Sequence, residues 1–177
     1  MSDNNILSIG MIVYNEEQFM SDAIQSLLSQ TYTDFTLEIT NNGSTDSSGQ
    51  IAENFAKIDT RVKVIHFESN NPCGYGVIDK ATTKYYMWAA GHDYYAPTFI
   101  EKCLNALESD PSVVLAYPRA KWFRGNTVYD EIPAIIDTRG IPPVSRPLVV
   151  MHGLVEAYQQ YGIYRRKELH KLIKCHV

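Results

Sequence analysis

The chain has 177 residues, 45% of them apolar and 20% charged, with a net charge of -4 at pH 7. That length suits one domain with a real core, and the balance excludes a disordered chain. The mildly acidic charge gives no electrostatic pull toward DNA or RNA, so no nucleic-acid partner is expected. Cys73, Cys103 and Cys175 are odd in number and widely spaced. That argues against a disulfide framework or an ordinary zinc site and for free thiols in a reducing compartment. The first apolar stretch, residues 6–14, is too short to span a bilayer and lacks the basic flank of a signal peptide. A cytoplasmic location is expected, peripheral to a membrane if attached to one.

Residues 6–14 (ILSIGMIVY) read as a strand buried on both faces of a parallel sheet. Asn15 with Gln18 three residues on predicts a capping box, and Phe19, Met20, Ala23, Ile24, Leu27 and Leu28 form the stripe of a helix ending near Gln30. Residues 35–40 alternate as a second strand, 41–46 are turn formers, and Ile51, Ala52, Phe55, Ala56 and Ile58 mark a second helix. Residues 62–67 read as a third strand, 77–82 as a short helical piece and 85–90 as a fourth strand. Pro97 opens a helix with Phe99, Ile100, Cys103, Leu104 and Leu107 on its stripe, and 113–117 read as another buried strand. After Arg119 the pattern weakens; Pro133, Pro142, Pro143 and Pro147 suggest a loop-rich segment over 121–150, followed by helices over 153–161 and 165–174. Alternating strands and helices predict an α/β fold with a mostly parallel sheet flanked by helices.

In such a sheet, ligands bind beyond the carboxyl ends of the strands. Three polar tips follow apolar strands there: Tyr14-Asn15-Glu16, Asn41-Asn42-Gly43-Ser44 and Gly91-His92-Asp93. No Gly-x-Gly-x-x-Gly follows the first strand, which discounts a dinucleotide dehydrogenase.

Residues 8–17 (SIGMIVYNEE), 24–35 (IQSLLSQTYTDF), 42–46 (NGSTD), 86–97 (YMWAAGHDYYAP) and 115–119 (LAYPR) match one family in order and spacing, and 162–169 (GIYRRKEL) match a later element. On these stretches the chain resembles the family-two glycosyltransferases, inverting enzymes of the Rossmann-like GT-A fold. The resemblance implies a nucleoside-diphosphate sugar as donor, Mn2+ or Mg2+ as cofactor, and a sugar or lipid-linked compound as acceptor. It implies hexosyl-type transfer in polysaccharide or glycoconjugate biosynthesis. Residues 1–120 would form the nucleotide-sugar-binding core and 121–177 a partial acceptor-side segment of the same domain. A short domain of this kind is also a candidate for homodimerisation. Tyr14 corresponds to the aromatic residue beside the base, Asn42 to the second acid of a pair that contacts the base, and Asp93 to the carboxylate that touches the cation. The candidate donor-binding set is Tyr14, Asn15, Glu16, Asn41, Asn42, Ser44, His92 and Asp93, with Asp93 as metal ligand.

The sequence departs from the family where acids are usual: Asn41 and Asn42 keep acceptor oxygens without charge, and Ala90, Gly91 and His92 leave Asp93 as a lone carboxylate. None of Asp130, Glu131, Asp137 or Glu156 sits in a matching general-base motif, so the catalytic base is unassigned. A second reading is therefore a catalytically degenerate GT-A domain that binds nucleotide or another protein. Simpler roles compete at each position. Asp93 could be a loop carboxylate, His92 a loop residue, Asn41 and Asn42 turn formers, Tyr14 packing on the sheet edge. Asp46 reads as a cap for the second helix and Arg165-Arg166 as a solvated pair.

Overall fold

The computed structural model describes residues 6–70, 81–124, 127–131, 136–146, 149–150 and 157–174. Cys73, Glu156, Cys175 and most of the helical piece expected over 77–82 lie outside them.

Strand β1 (Leu7–Val13) is the centre of a six-stranded sheet. It pairs in parallel with β2 (Phe35–Asn42) on one side and β4 (Tyr85–Ala89) on the other, Leu7 standing level with both Phe35 and Tyr85. Strand β3 (Val62–Phe67) extends the sheet beyond β2, also in parallel. Helices α1 (Met20–Leu28), α2 (Ser48–Ile58) and α3 (Phe99–Ser109) connect or follow these strands. Leu7, Ile9 and Met11 of β1, Leu37 and Ile39 of β2, Ile24 and Leu27 of α1, and Ile100 and Leu107 of α3 are fully buried in one cluster. Each such side chain contributes about 2 kcal/mol by leaving water. Cys103 of α3 is a free thiol in that core, where burial pushes its pKa up to about 12 and leaves it unreactive. No helix of the described residues is long and apolar enough to cross a membrane.

The expected α/β layout with a mostly parallel sheet is thus present, with five differences from the sequence reading. Asn15 and Gln18 form no capping box: α1 starts at Met20, and Asn15 adopts a left-handed φ of 55°, a conformation asparagine tolerates better than most residues. The strand expected over 113–117 is only β5 (Leu115–Ala116), half-buried at the sheet edge. Between it and β4 lies β8 (Ile163–Arg165), antiparallel to both and inserted from far along the chain. The loop-rich segment contains a hairpin of β6 (Lys121–Arg124) and β7 (Thr127–Glu131). Ala157–Tyr161 is a 3-10 turn, and the final helix α4 spans Arg166–Lys174.

Candidate functional site

The strand order β3-β2-β1-β4-β8-β5 means that the chain builds outward from β1 in one direction, then returns to place β4 on its other flank. In open α/β sheets such a reversal is where ligands bind, here beyond the carboxyl ends of β1 and β4. Gly91, just after β4, allows the two tips to approach. A Cβ there would lie 2.9 Å from Val13 Cγ1 and 3.3 Å from Glu16 Cβ.

The three polar tips converge, and their own hydrogen bonds join them. Ser44 Oγ accepts the Asn15 N–H at 3.1 Å, and Asn15 Oδ1 accepts the Thr45 N–H at 2.9 Å. The fully buried Ser48 accepts the Glu16 N–H at 2.8 Å. Asp46 accepts from Glu17 N at 3.1 Å and from Ser48 N at 2.9 Å, but it stands one residue before Ser47, the N-cap of α2, and so is not the helix cap the sequence suggested, while Glu17 Oε2 accepts the Ser47 N–H at 3.0 Å. Asn15 and Ser44 thereby engage each other's loops. Their conformational role is explicit, and any donor contact they make is an addition to it.

Asn41 is buried, with both ends of its amide engaged: Oδ1 accepts the Ser44 N–H at 3.0 Å and Nδ2 donates to His66 Nδ1 at 3.1 Å. His66 in turn meets Glu53 Oε1 through Nε2 at 2.9 Å, so its ring carries the proton on that nitrogen. Asn42 Nδ2 donates to Asn70 Oδ1 at 2.8 Å, joining the tip of β2 to the loop after β3.

At the tip of β4, His92 Nδ1–H donates to Glu16 Oε1 at 2.9 Å. The two tips are therefore bridged by an ion pair whenever His92 is protonated. Asp93 lies beside this pair. Burial pushes its pKa upward, against the pull of His92 and with the repulsion of Glu16. A carboxylate desolvated in this way gains from a cation close by. Among the described residues, no group of three or more His, Cys, Asp or Glu is gathered to hold a metal ion, so a cation here would rely on Asp93 with oxygens from its ligand and water. Tyr14 is 45% exposed at the end of β1, its ring open to a ligand.

A model of the family described as "Glycosyl transferase family 2" matches residues 8–173. The chain belongs to the family-two glycosyltransferases. The putative glycosyltransferase EpsH of Bacillus subtilis is 28% identical over 174 residues, covering 94% of this chain and 49% of the relative. EpsJ of the same organism, an uncharacterised glycosyltransferase, is 34% identical over 110 residues, 59% of this chain and 31% of its own. The chain thus spans half or less of these relatives. Among solved structures, S. aureus TarS 1-349 superposes with a TM-score of 0.71 at 18% identity, covering 94% of this chain and 49% of that one. The mannosyltransferase PcManGT from Pyrobaculum calidifontis, solved with GDP-Man and Mn2+, superposes with a TM-score of 0.63 at 13% identity, covering 95% and 46%. At these identities the likeness shows a shared GT-A fold.

Within this glycosyltransferase domain, several polar residues that hold the site carried no role in the sequence reading. Ser26 is buried on α1 beside its apolar stripe, and Gln30 is buried two residues past the helix end; polar residues among apolar neighbours were the available signal. Arg165 is not solvated, contrary to expectation. Its Nε donates to Val113 O at 2.7 Å, Nη1 to Tyr85 Oη at 3.2 Å and Nη2 to the carbonyls of Leu107 and Asp110, binding β8 to α3 and the turn after it. Arg166 Nε likewise donates to Thr83 O at 2.6 Å. Asp137, one candidate base, is held by Arg139 at a pKa of about 2, chiefly through their side-chain hydrogen bonds, and is a poor proton acceptor there. The side chains of Asp130 and Glu131 lie outside the described residues.

Proposed function

We propose that this domain holds a nucleoside-diphosphate sugar in the crevice between the tips of β1, β2 and β4 and transfers the sugar to an acceptor hydroxyl, with inversion at the anomeric carbon. The observation that carries this reading is the convergence of the three tips: the polar ends of three strands form one bonded rim, with the Tyr14 ring and the Asp93 carboxylate on it. TarS has been solved with UDP and with UDP-GlcNAc, and PcManGT with GDP-Man, which supports the donor class.

In this reading Tyr14 stacks on the base, and Asn42 stands at its edge. Asn41, Asn15 and Ser44 keep the floor of the site in shape. Glu16 and His92 clamp the crevice across its width. Asp93 holds Mn2+ or Mg2+, which when bound neutralises charge on the leaving diphosphate. Residues 1–120 act as the donor-binding core and 121–177 as the acceptor-side part, and the return of β8 to the main sheet supports their belonging to one domain. The acceptor is a sugar or lipid-linked hydroxyl compound, and the site of action is the cytoplasm.

Calorimetric titration with UDP and with GDP, each in Mn2+ and in EDTA, tests the reading. Binding to at least one nucleotide is expected, tighter by about tenfold or more with Mn2+, and Asp93→Ala should erase that gain while leaving the EDTA affinity intact. Folded protein that binds neither nucleotide would overturn donor binding. The engagement of both amide ends of Asn41 and the single carboxylate at Asp93 favour one competing reading, a degenerate nucleotide-binding or protein-interaction module. That reading requires nucleotide binding indifferent to Mn2+, or none.

A further inference from the structure

We infer that Tyr95, Ser26 and Gln30 are positioning residues that fix Asp93 for a cation and its diphosphate; this rests on the donor-site reading above.

The loop after β4 is held at two points. The Ala90 N–H donates to Tyr95 Oη at 3.0 Å, so residues 91–94 form a short excursion that leaves and rejoins a single anchor. The Tyr95 ring is buried, stacked on Phe99 of α3. The backbone of Tyr95 is then tied to α1: its N–H donates to Ser26 Oγ at 3.1 Å, while Gln30 Nε2 donates to Tyr95 O at 3.2 Å and Ala96 O at 2.8 Å. The same Gln30 amide donates to Ser26 O at 3.1 Å and accepts the Ile100 N–H at 3.1 Å through Oε1, serving the first turn of α3. Thr31 N–H closes the set on Pro97 O at 2.9 Å.

Asp93 therefore takes its place from two helices as well as from β4. A Leu or Met would fill the space at position 30 more simply. A buried amide whose partners are all backbone groups of a loop and two helix ends specifies geometry instead. With the Glu16 carboxylate engaged by His92, a cation here relies on Asp93, so a small shift of this loop falls directly on cation affinity.

The test uses Tyr95→Phe, which removes only the oxygen that receives the Ala90 N–H, and Ser26→Ala, which removes the acceptor of the Tyr95 N–H. Affinities of the full chain for UDP and GDP are measured calorimetrically in Mn2+ and in EDTA, alongside circular dichroism and thermal melting. Each variant is expected to lose about fivefold of the Mn2+-dependent gain, the ordinary worth of one hydrogen bond, with EDTA affinity within about twofold of wild type. A merely structural role would lower the melting temperature and leave the ratio of the two affinities unchanged. That outcome, with wild type showing the gain, overturns the inference alone. A wild type that gains nothing from Mn2+ overturns the metal role of Asp93 and the inference together. If Ser26→Ala does not fold, Tyr95→Phe decides.

Discussion

Gly43 offers a stability test with its own control. It turns the chain at the tip of β2 with a φ of +77°, against the loop that follows β3. A Cβ there would lie 2.7 Å from Ser69 C, 2.8 Å from Ser69 Cα and 2.9 Å from Asn70 N, all backbone atoms that no rotamer change can move away. Gly140 adopts a similar φ of +72°, with nothing within 4 Å of the equivalent Cβ. Gly140→Ala therefore measures the left-handed penalty alone, about 1–2 kcal/mol. Gly43→Ala adds the overlap, and overpacking of this kind costs about 1–3 kcal/mol more. With about 2–4 °C lost per kcal/mol at this chain length, Gly43→Ala should melt about 2–12 °C below Gly140→Ala. Urea denaturation of both variants gives the free energies. Equal losses within about 0.5 kcal/mol, the ordinary scatter between independent sites, would refute the claim that the β2 tip is seated on the backbone of Ser69 and Asn70. Because the Asn42–Asn70 hydrogen bond crosses the same contact, Gly43→Ala should also weaken nucleotide binding, which Gly140→Ala should spare.

Arg165→Met should cost about 2–4 kcal/mol by urea denaturation, because it strands partly buried carbonyls of α3 and its following turn; a loss under about 1 kcal/mol would mean that water satisfies them. The pair of Asp59 and Arg61 should give an acid limb. Hydrogen bonds from Arg61 hold the Asp59 carboxyl below its ordinary 3.8, against a smaller opposing effect of burial. Its contribution is in place above pH 3.8 and is lost as pH falls through the lowered value. The stability difference between wild type and Arg61→Met, about 1 kcal/mol or more at pH 7, should shrink in urea titrations below pH 4; a constant difference across that range would remove the linkage.

Much of the architecture was readable along the chain. Continuous apolar runs mark β1 and β4 as strands buried on both faces, and helical stripes mark α1, α2 and α3, because burial dictates residue type at each position. The helix α1 was placed correctly, but its start was not. Asn15 has the sequence signature of a local cap, yet its carboxamide bonds to Thr45 in another loop, and local composition carries no information about that partner. Strand β8 was missed for the same reason: three residues gain strand geometry only because β4 and β5 stand on either side. The hairpin β6–β7 had a signal in Gly125-Asn126 between two short runs with β-forming residues, which the nearby prolines obscured.

For the site, the sequence by itself determined which polar residues end the strands and hence which side chains stand at the carboxyl edge of the sheet. It also determined, through Asn41 and Asn42, where that edge carries amides in place of acids. Only the tertiary structure decided what those groups touch. Asn41 is engaged by Ser44 and His66, Glu16 by His92, and the loop bearing Asp93 by Ser26, Gln30 and Tyr95. The reason is that side-chain chemistry is a property of the residue, whereas hydrogen-bond partnership is a property of distance. Residues as far apart as 16 and 92 become neighbours only once β1 and β4 pair side by side.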